Sequence, residues 1–367
     1  MTSRSRETEE PGWQSDAESE LLPDGLRRAF PALEDGFDVR ALTGGNLHRS
    51  LHVRVGAEEY VLQRVSDVFS PAIHDNIQLV SRHLAERGVC TSSLLSARDG
   101  APSIEIEGHG RWRLMRHLGG VSFRRVQSVE QARSAGRLAG RFHAAMRDFA
   151  EPLAPMGIPY RDTPHYLRAL REALAAHANH RLAAEIAPLA ERVLATFEDL
   201  GSPIAVEDRV IHGDLKLDNL LFESTTPPGR DRAFALIDLD TLMRAPLWVE
   251  LGDAWRSWCN AAGEDTTEAR FEMSFFEAAS RGFFDGYSSP LSEADLDSLA
   301  TAPERVCLEL CARYATDALE ESYFNWDESN FATRGEHNVV RAFGQWAFYE
   351  AIRDCRPERE EILRLDH

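Results

Sequence analysis

The chain has 367 residues, and its 41 Lys and Arg against 60 Asp and Glu give a formal charge of −19, a surface that repels polyanions and speaks against nucleic acids and anionic membranes as partners. Hydrophobic residues make up 43% and charged residues 28%, the make-up of a globular chain rather than a disordered one. At about 100 to 200 residues per domain, the length accommodates two packed units or one bilobed one.

The first twenty residues hold no apolar run and are rich in Ser, Glu, Arg and Asp, so they do not form a secretory signal. Residues 1–22 are expected to be a disordered acidic tail. Nowhere does the chain reach the roughly 18 uninterrupted apolar residues of a membrane span. Residues 23–118 read as a strand-rich N-terminal lobe. Leu51-His52-Val53-Arg54-Val55 and Tyr60-Val61-Leu62-Gln63-Arg64-Val65 alternate as strands do, and Gly56-Ala57-Glu58-Glu59 joins them as a hairpin. One helix, over 71–87, turns Ile73, Ile77, Val80 and Leu84 inward and ends at Gly88. A last strand, 112–117, runs into Leu118-Gly119-Gly120.

Residues 119–367 read as a larger, mainly helical lobe. Ser128 with Gln131 is a capping box, after which Ala135, Leu138, Ala139, Phe142 and Met146 recur at helical spacing. Further helices are expected over 163–178, 181–199, 267–287, 303–321 and 336–353, with Thr301 and Glu304 capping the one that begins at Pro303. Two short apolar strands, 209–212 and 234–237, interrupt the series around the turn-rich loop 225–230. The whole is an α+β plan: a small antiparallel-sheet lobe with one helix, then a large helical lobe. Five cysteines, Cys90, Cys259, Cys307, Cys311 and Cys355, form no CxxC pair, and are read as buried free thiols of a reducing cytoplasm.

The informative stretch is Ile211-His212-Gly213-Asp214-Leu215-Lys216-Leu217-Asp218-Asn219-Leu220-Leu221-Phe222, followed by Ile237-Asp238-Leu239-Asp240. Phosphoryl transfer from ATP needs a carboxylate to take the acceptor proton, a cation on the moving phosphate and oxygen ligands for Mg²⁺. Asp214 follows a strand and a turn, Lys216 stands two residues on, and Asn219 and Asp238 offer hard oxygens to the metal. Lys216 is also the one lysine of the chain, every other cation being arginine.

His212 to Asn219 has the spacing of the kinase catalytic loop, H-R-D-L-x-x-x-N, and Asp238 falls where the metal-binding Asp of D-F-G belongs. Gly213 and Ile237-Asp238-Leu239-Asp240 resemble the aminoglycoside phosphotransferase and choline kinase group rather than protein kinases. Gly44-Gly45-Asn46-Leu47, Asp75-Asn76-Ile77, Gly157-Ile158-Pro159 and Leu251-Gly252-Asp253 are similar to the branch holding N-acetylhexosamine 1-kinases.

The resemblance implies a protein-kinase-like bilobed fold and an ATP- and Mg²⁺-dependent transfer to a small hydroxyl acceptor. A sugar, N-acetylhexosamine-like, at its anomeric hydroxyl leads; the alternatives are an aminoglycoside, choline or amino-alcohol kinase, or a non-catalytic nucleotide-binding protein of the same fold. It implies Asp214 and Lys216 as catalytic residues, Asn219 and Asp238 as metal ligands, and Gly44 and Gly45 over the phosphates. Met115 and His117 would lie at the adenine, and the acceptor would meet Arg313, Tyr323 and Trp346. The family's strand lysine is missing. Alternation lets one of Gln63 and Arg64 take its place, and Arg64 carries the charge, with Asp75 opposite as the shorter stand-in for a helix Glu. Asp253 is expected to brace the catalytic loop's backbone, and His212 to be a scaffold residue.

Overall fold

A computed structural model describes residues 14–15, 22–23, 25–42 and 48–365. Two compact units emerge. The first holds 1–82, 92–118 and 154–158, and the second 83–91, 119–153 and 159–367. One division therefore falls at Leu118/Gly119, and two short segments cross over to the other unit.

In chain order the elements are β1 (Gln14–Ser15), α1 (Gly25–Ala29), β2 (Asp38–Ala41), β3 (Arg49–Val55), β4 (Glu58–Arg64), α2 (Ile73–Glu86), β5 (Cys90–Thr91), β6 (Leu94–Leu95), β7 (Ile104–Ile106) and β8 (Gly110–Arg116). Then come α3 (Val129–Met146), α4 (Thr163–Ala176), α5 (Ala183–Leu200), β9 (Asp208–Ile211), β10 (Leu220–Phe222), β11 (Ala233–Leu236), β12 (Met243–Pro246) and α6 (Leu247–Trp258). The last are α7 (Met273–Tyr287), α8 (Glu293–Ala300), α9 (Ala302–Glu320), α10 (Arg334–Asp354) and α11 (Arg356–Leu365).

The first unit is built on an antiparallel sheet in the order β1-β2-β3-β4-β8-β6, with β7 also on β8. Gln14–Ser15, inside the stretch expected to be a tail, pair with β2. The period of two sorts its side chains by face. Leu51, Val53, Tyr60, Leu62, Trp112 and Leu114 join Leu26, Phe30 and Leu33 in one buried core. The opposite face carries Ser50, His52, Val61, Gln63, Arg113 and Met115, in register across β3, β4 and β8.

In the second unit, helices surround two small sheets, β10-β11-β5 and β12-β9. Ser128 caps α3 as read, accepting from Gln131 N at 3.1 Å, but Gln131 reaches back to Gln127 N at 2.8 Å. Helix α9 departs from the reading. The Thr301 hydroxyl makes no cap and accepts instead from Arg305 Nε at 3.3 Å, while Glu304 is buried between Arg356 and Arg359. Cys307 and Cys311 are buried free thiols that donate to the Gln345 and Ala342 carbonyls at 3.1 and 3.2 Å. Cys90, by contrast, is exposed. No helix among the described residues is long and apolar enough to cross a membrane.

Candidate active site

Between β9 and β10 the chain runs as a loop, 212–216, and a 3-10 turn, Leu217–Asn219. Gly213 is required in it. Its φ is +86°, and a Cβ there would lie 2.4 Å from the Thr241 carbonyl oxygen. Glu250 of α6 holds the loop backbone, accepting from His212 N at 2.8 Å with one oxygen and from Gly213 N at 2.9 Å with the other. Burial acts to raise the Glu250 carboxyl, yet His143 at 3.4 Å and the backbone donors keep it below its ordinary range. The His212 ring donates to Ile237 O at 2.9 Å, the scaffold role expected of it.

Asp214 stands on this loop with its two oxygens in different situations. Oδ2 accepts from Lys216 Nζ at 2.9 Å and from Asn219 Nδ2 at 3.1 Å, and Asn219 also donates to the Asp214 carbonyl at 2.8 Å. Among the described residues nothing donates to Oδ1. Burial works against the charge, but Lys216 beside it and Arg161 further out hold the carboxyl below the usual carboxylate range. Burial likewise disfavours the Lys216 ammonium, and Asp214 and Asp238 outweigh it and raise the group. Asp238 lies close enough to act on Lys216, in a left-handed turn with φ 65° and ψ 58°, a conformation that costs a non-glycine residue about 1–2 kcal/mol. Asn219 commits its amide nitrogen to Asp214, and no described residue donates to its Oδ1. An amide oxygen beside a carboxylate is a hard-oxygen pair that fits Mg²⁺.

Beside the loop stands a wall of residues that the sequence did not announce. Arg161 (φ 54°) donates to the Gly213 carbonyl at 3.4 Å and pairs with Asp253 Oδ2 at 2.5 Å and Glu309 at 3.8 Å. The other Asp253 oxygen takes Arg256 at 3.0 and 3.1 Å. Asp253 thus braces the loop through Arg161, and direct contact with the backbone belongs to Glu250, three residues earlier. Tyr160 is half-buried; desolvation raises its phenol, with the charges of Asp214 and Asp253 adding to the effect and Arg161 opposing it. Arg313 and Tyr323 are brought to this wall, the guanidinium carbon 6.0 Å from the Tyr160 ring and 5.7 Å from the Tyr323 ring. Trp346 is not. It sits on α10 with Arg192 of α5 over its ring at 4.3 Å and Tyr349 at 5.3 Å.

In the first unit, Gly44 and Gly45 lie outside the described residues. Arg64 does not take the place of the strand lysine, because it shares the parity of Leu62 and leaves β4 on the core side. It is exposed there, donating to the His109 carbonyl at 2.8 Å. Gln63 holds the other face, accepting from Arg113 Nε at 2.9 Å and donating to Ser50 at 2.8 Å. Arg113 is the buried cation of that face. It was missed because it stands one strand over, in register with Gln63. Asp75 makes no ion pair among the described residues. Met115 is buried on the Gln63 face. His117 Nδ1 lies 3.2 Å from Glu59, and its ring stacks on His52 at 4.1 Å. Burial, with His52 adding to it, lowers the imidazole, while Glu59 acts to raise it.

The model of the phosphotransferase enzyme family (APH) matches residues 38–287. Among solved structures, a microcompartment-associated aminopropanol kinase aligns with a TM-score of 0.60 at 17% identity, over 90% of this chain and 96% of its own. An aminoglycoside phosphotransferase from Alicyclobacillus acidocaldarius aligns with 0.57 at 17%, over 93% and 98%. A spectinomycin phosphotransferase solved with ADP and spectinomycin aligns with 0.56 at 14%, over 91% and 99%. At such identities the likeness speaks for a shared fold, the kinase-like α+β fold expected from the sequence.

Proposed function

Because this chain belongs to the phosphotransferase enzyme family, we propose that it moves the γ-phosphoryl group of ATP to a hydroxyl of a small molecule, with Asp214 as general base. The observation that carries the reading is the asymmetry of the Asp214 carboxylate. One oxygen is fixed by Lys216 and Asn219, and the other is left for an incoming proton. A carboxylate held in this way is ionised and oriented before the acceptor arrives.

In the step proposed, Asp214 Oδ1 takes the acceptor's hydroxyl proton as that oxygen bonds to the γ-phosphorus. The bond from phosphorus to the β,γ-bridging oxygen breaks with its electron pair, and ADP leaves. Lys216 offsets charge on the transferring group from its place beside Asp214. Asn219 Oδ1 and the Asp238 carboxylate would hold Mg²⁺, which when bound supplies charge neutralisation on the nucleotide phosphates. Glu250 and Arg161 keep the loop in place through His212 N, Gly213 N and Gly213 O. In the first unit, Arg113, held by Gln63, replaces the missing strand lysine as the cation on one face of the sheet, with Met115 on the same face as the apolar surface for the base.

The solved relatives are named for an aminopropanol and an antibiotic as acceptors. Here an arginine and tyrosines stand by the base, a lining that favours a hydroxyl-rich acceptor of sugar size over an amine. An ADP-release assay with ATP and Mg²⁺ over sugars, amino alcohols and aminoglycosides tests the activity. General-base help is worth about 10²- to 10⁴-fold, so Asp214→Asn should lose at least about 10²-fold in turnover while keeping nucleotide-induced thermal stabilisation. Turnover left unchanged by Asp214→Asn would overturn the assignment.

A further inference from the structure

Arg313 differs from every other cation of the catalytic wall. Arg161 is matched by Asp253 and Glu309, and Arg256 by Asp253 and Glu264. The Arg313 guanidinium has no carboxylate within ion-pair distance and no hydrogen-bond acceptor among the described residues. Glu309, one turn earlier on α9, is committed elsewhere: one oxygen accepts from Thr163 Oγ1 at 2.5 Å and the other faces Arg161.

What surrounds Arg313 is aromatic. Its Cζ lies 4.8 Å from the centroid of Tyr166, 5.3 Å from Phe324, 5.7 Å from Tyr323 and 6.0 Å from Tyr160. Ring faces attract the cation but accept none of its five N–H groups in good geometry. A partly buried fork of donors without acceptors is disfavoured unless something else supplies oxygens. A cage of rings is also the usual receptor for a ligand ammonium, and here the protein's own cation fills it.

Arg313 is placed to meet the acceptor. Tyr160 stands between the two ends of the wall, its ring 5.2 Å from the Arg161 guanidinium carbon and 6.0 Å from that of Arg313. Arg161 in turn touches the loop at Gly213. Arg313 and Arg161 thus share the Tyr160 ring, and Arg161 touches the loop at the residue before Asp214.

We propose that Arg313 is the specificity-determining residue of the acceptor site and pairs with an oxyanion of the acceptor, so that the substrate is a hydroxylated acid rather than an amine. The match is geometric as well as electrostatic, since the planar fork presents two parallel N–H groups to two oxygens. A cationic acceptor meets like charge at the same place. The proposal rests on the phosphotransferase reading of Asp214 and deepens it.

The test pairs turnover with binding, so that the two readings fail separately. ADP release and acceptor-induced thermal shift are measured for glucuronate, galacturonate, glucose 6-phosphate, glucose, N-acetylglucosamine, ethanolamine and kanamycin, with wild type, Arg313→Gln and Arg313→Lys. An oxyanion-bearing member should exceed its neutral parent by at least tenfold in kcat/KM, the sugar acids and the sugar phosphate distinguishing carboxylate from phosphate. Arg313→Gln should raise KM for that member at least tenfold with a smaller change in kcat, and Arg313→Lys should recover part of the loss. Preference for a neutral or cationic acceptor, or an equal effect of Arg313→Gln on charged and neutral ones, overturns the proposal and leaves the phosphotransferase reading standing. A thermal shift from a sugar acid that Arg313→Gln abolishes, without ADP release from any acceptor, supports the Arg313 assignment and contradicts the activity. Neither shift nor turnover with any oxyanion overturns the proposal outright.

Discussion

Asp214, Lys216 and Asn219 stand out in the sequence because they are closely spaced along one loop, and Asp238 because it follows the next apolar strand. Their partners do not, because these come from far along the chain: Glu250 reaches His212 from 38 residues away and Arg161 reaches Gly213 from 52. The lone lysine gains a physical reason at this scale. Lys216 Nζ holds one oxygen of Asp214 as a point charge, whereas a guanidinium there would engage both oxygens as a fork and occupy Oδ1. Lys216→Arg is therefore expected to lower turnover at least about tenfold, measured as kcat at saturating ATP; wild-type turnover would reduce the lysine to chance. The pH profile follows from the same contact. Asp214 is held below the ordinary carboxylate range, so its ionised form persists above that range and is lost only as pH falls below about 4. The plot of kcat/KM against pH should show no acid limb between about pH 5 and 8. A limb with its midpoint near 6 would mean that the base is another group.

Among the helices the sequence showed is α3, whose apolar residues form one stripe. Helix α6 was not read at all, although its sequence carries a helical contrast as strong as that of α3. Val249, Glu250, Leu251, Gly252, Asp253, Ala254 and Trp255 are all buried, acidic and apolar residues alike. That same burial lets α6 carry Glu250 and Asp253 to the catalytic loop. The contact between α3 and α7 shows another device. A Cβ on Gly136 would lie 2.0 Å from the Ala279 carbonyl oxygen, and one on Gly282 would lie 2.0 Å from that of Arg133, so each helix backbone rests on a glycine of the other. Gly136→Ala should cost about 1–3 kcal/mol by overpacking, lowering the midpoint of denaturant unfolding. An unchanged midpoint would mean that the helices separate freely. In β4 the alternation puts Gln63 and Arg64 on opposite faces, with Arg64 opposite Trp112 on the core side. Parity relative to Leu62 places Gln63 on the other face, and its cation comes from β8 as Arg113.

At the scale of the whole molecule, the charge of −19 is a sum over the chain, and it does not extend to Arg313, which among the described residues has rings and no carboxylate at ion-pair distance around it. The order of a strand-rich part before a helical part was legible from periodicity alone. The grouping of 83–91 and 154–158 was not, because it depends on which distant residues these segments pack against. The family match over 38–287 and the shared fold accompany a loop on which Lys216 and Asn219 both hold Asp214. The measurement that bears most directly on this account is phosphorus-31 NMR of the enzyme with ATP, Mg²⁺ and the acceptor that releases most ADP. The account predicts a phosphomonoester signal growing in step with ADP for the wild type and absent with Asp214→Asn. ADP accompanied only by inorganic phosphate, or the same product formed at the same rate by Asp214→Asn, would contradict it.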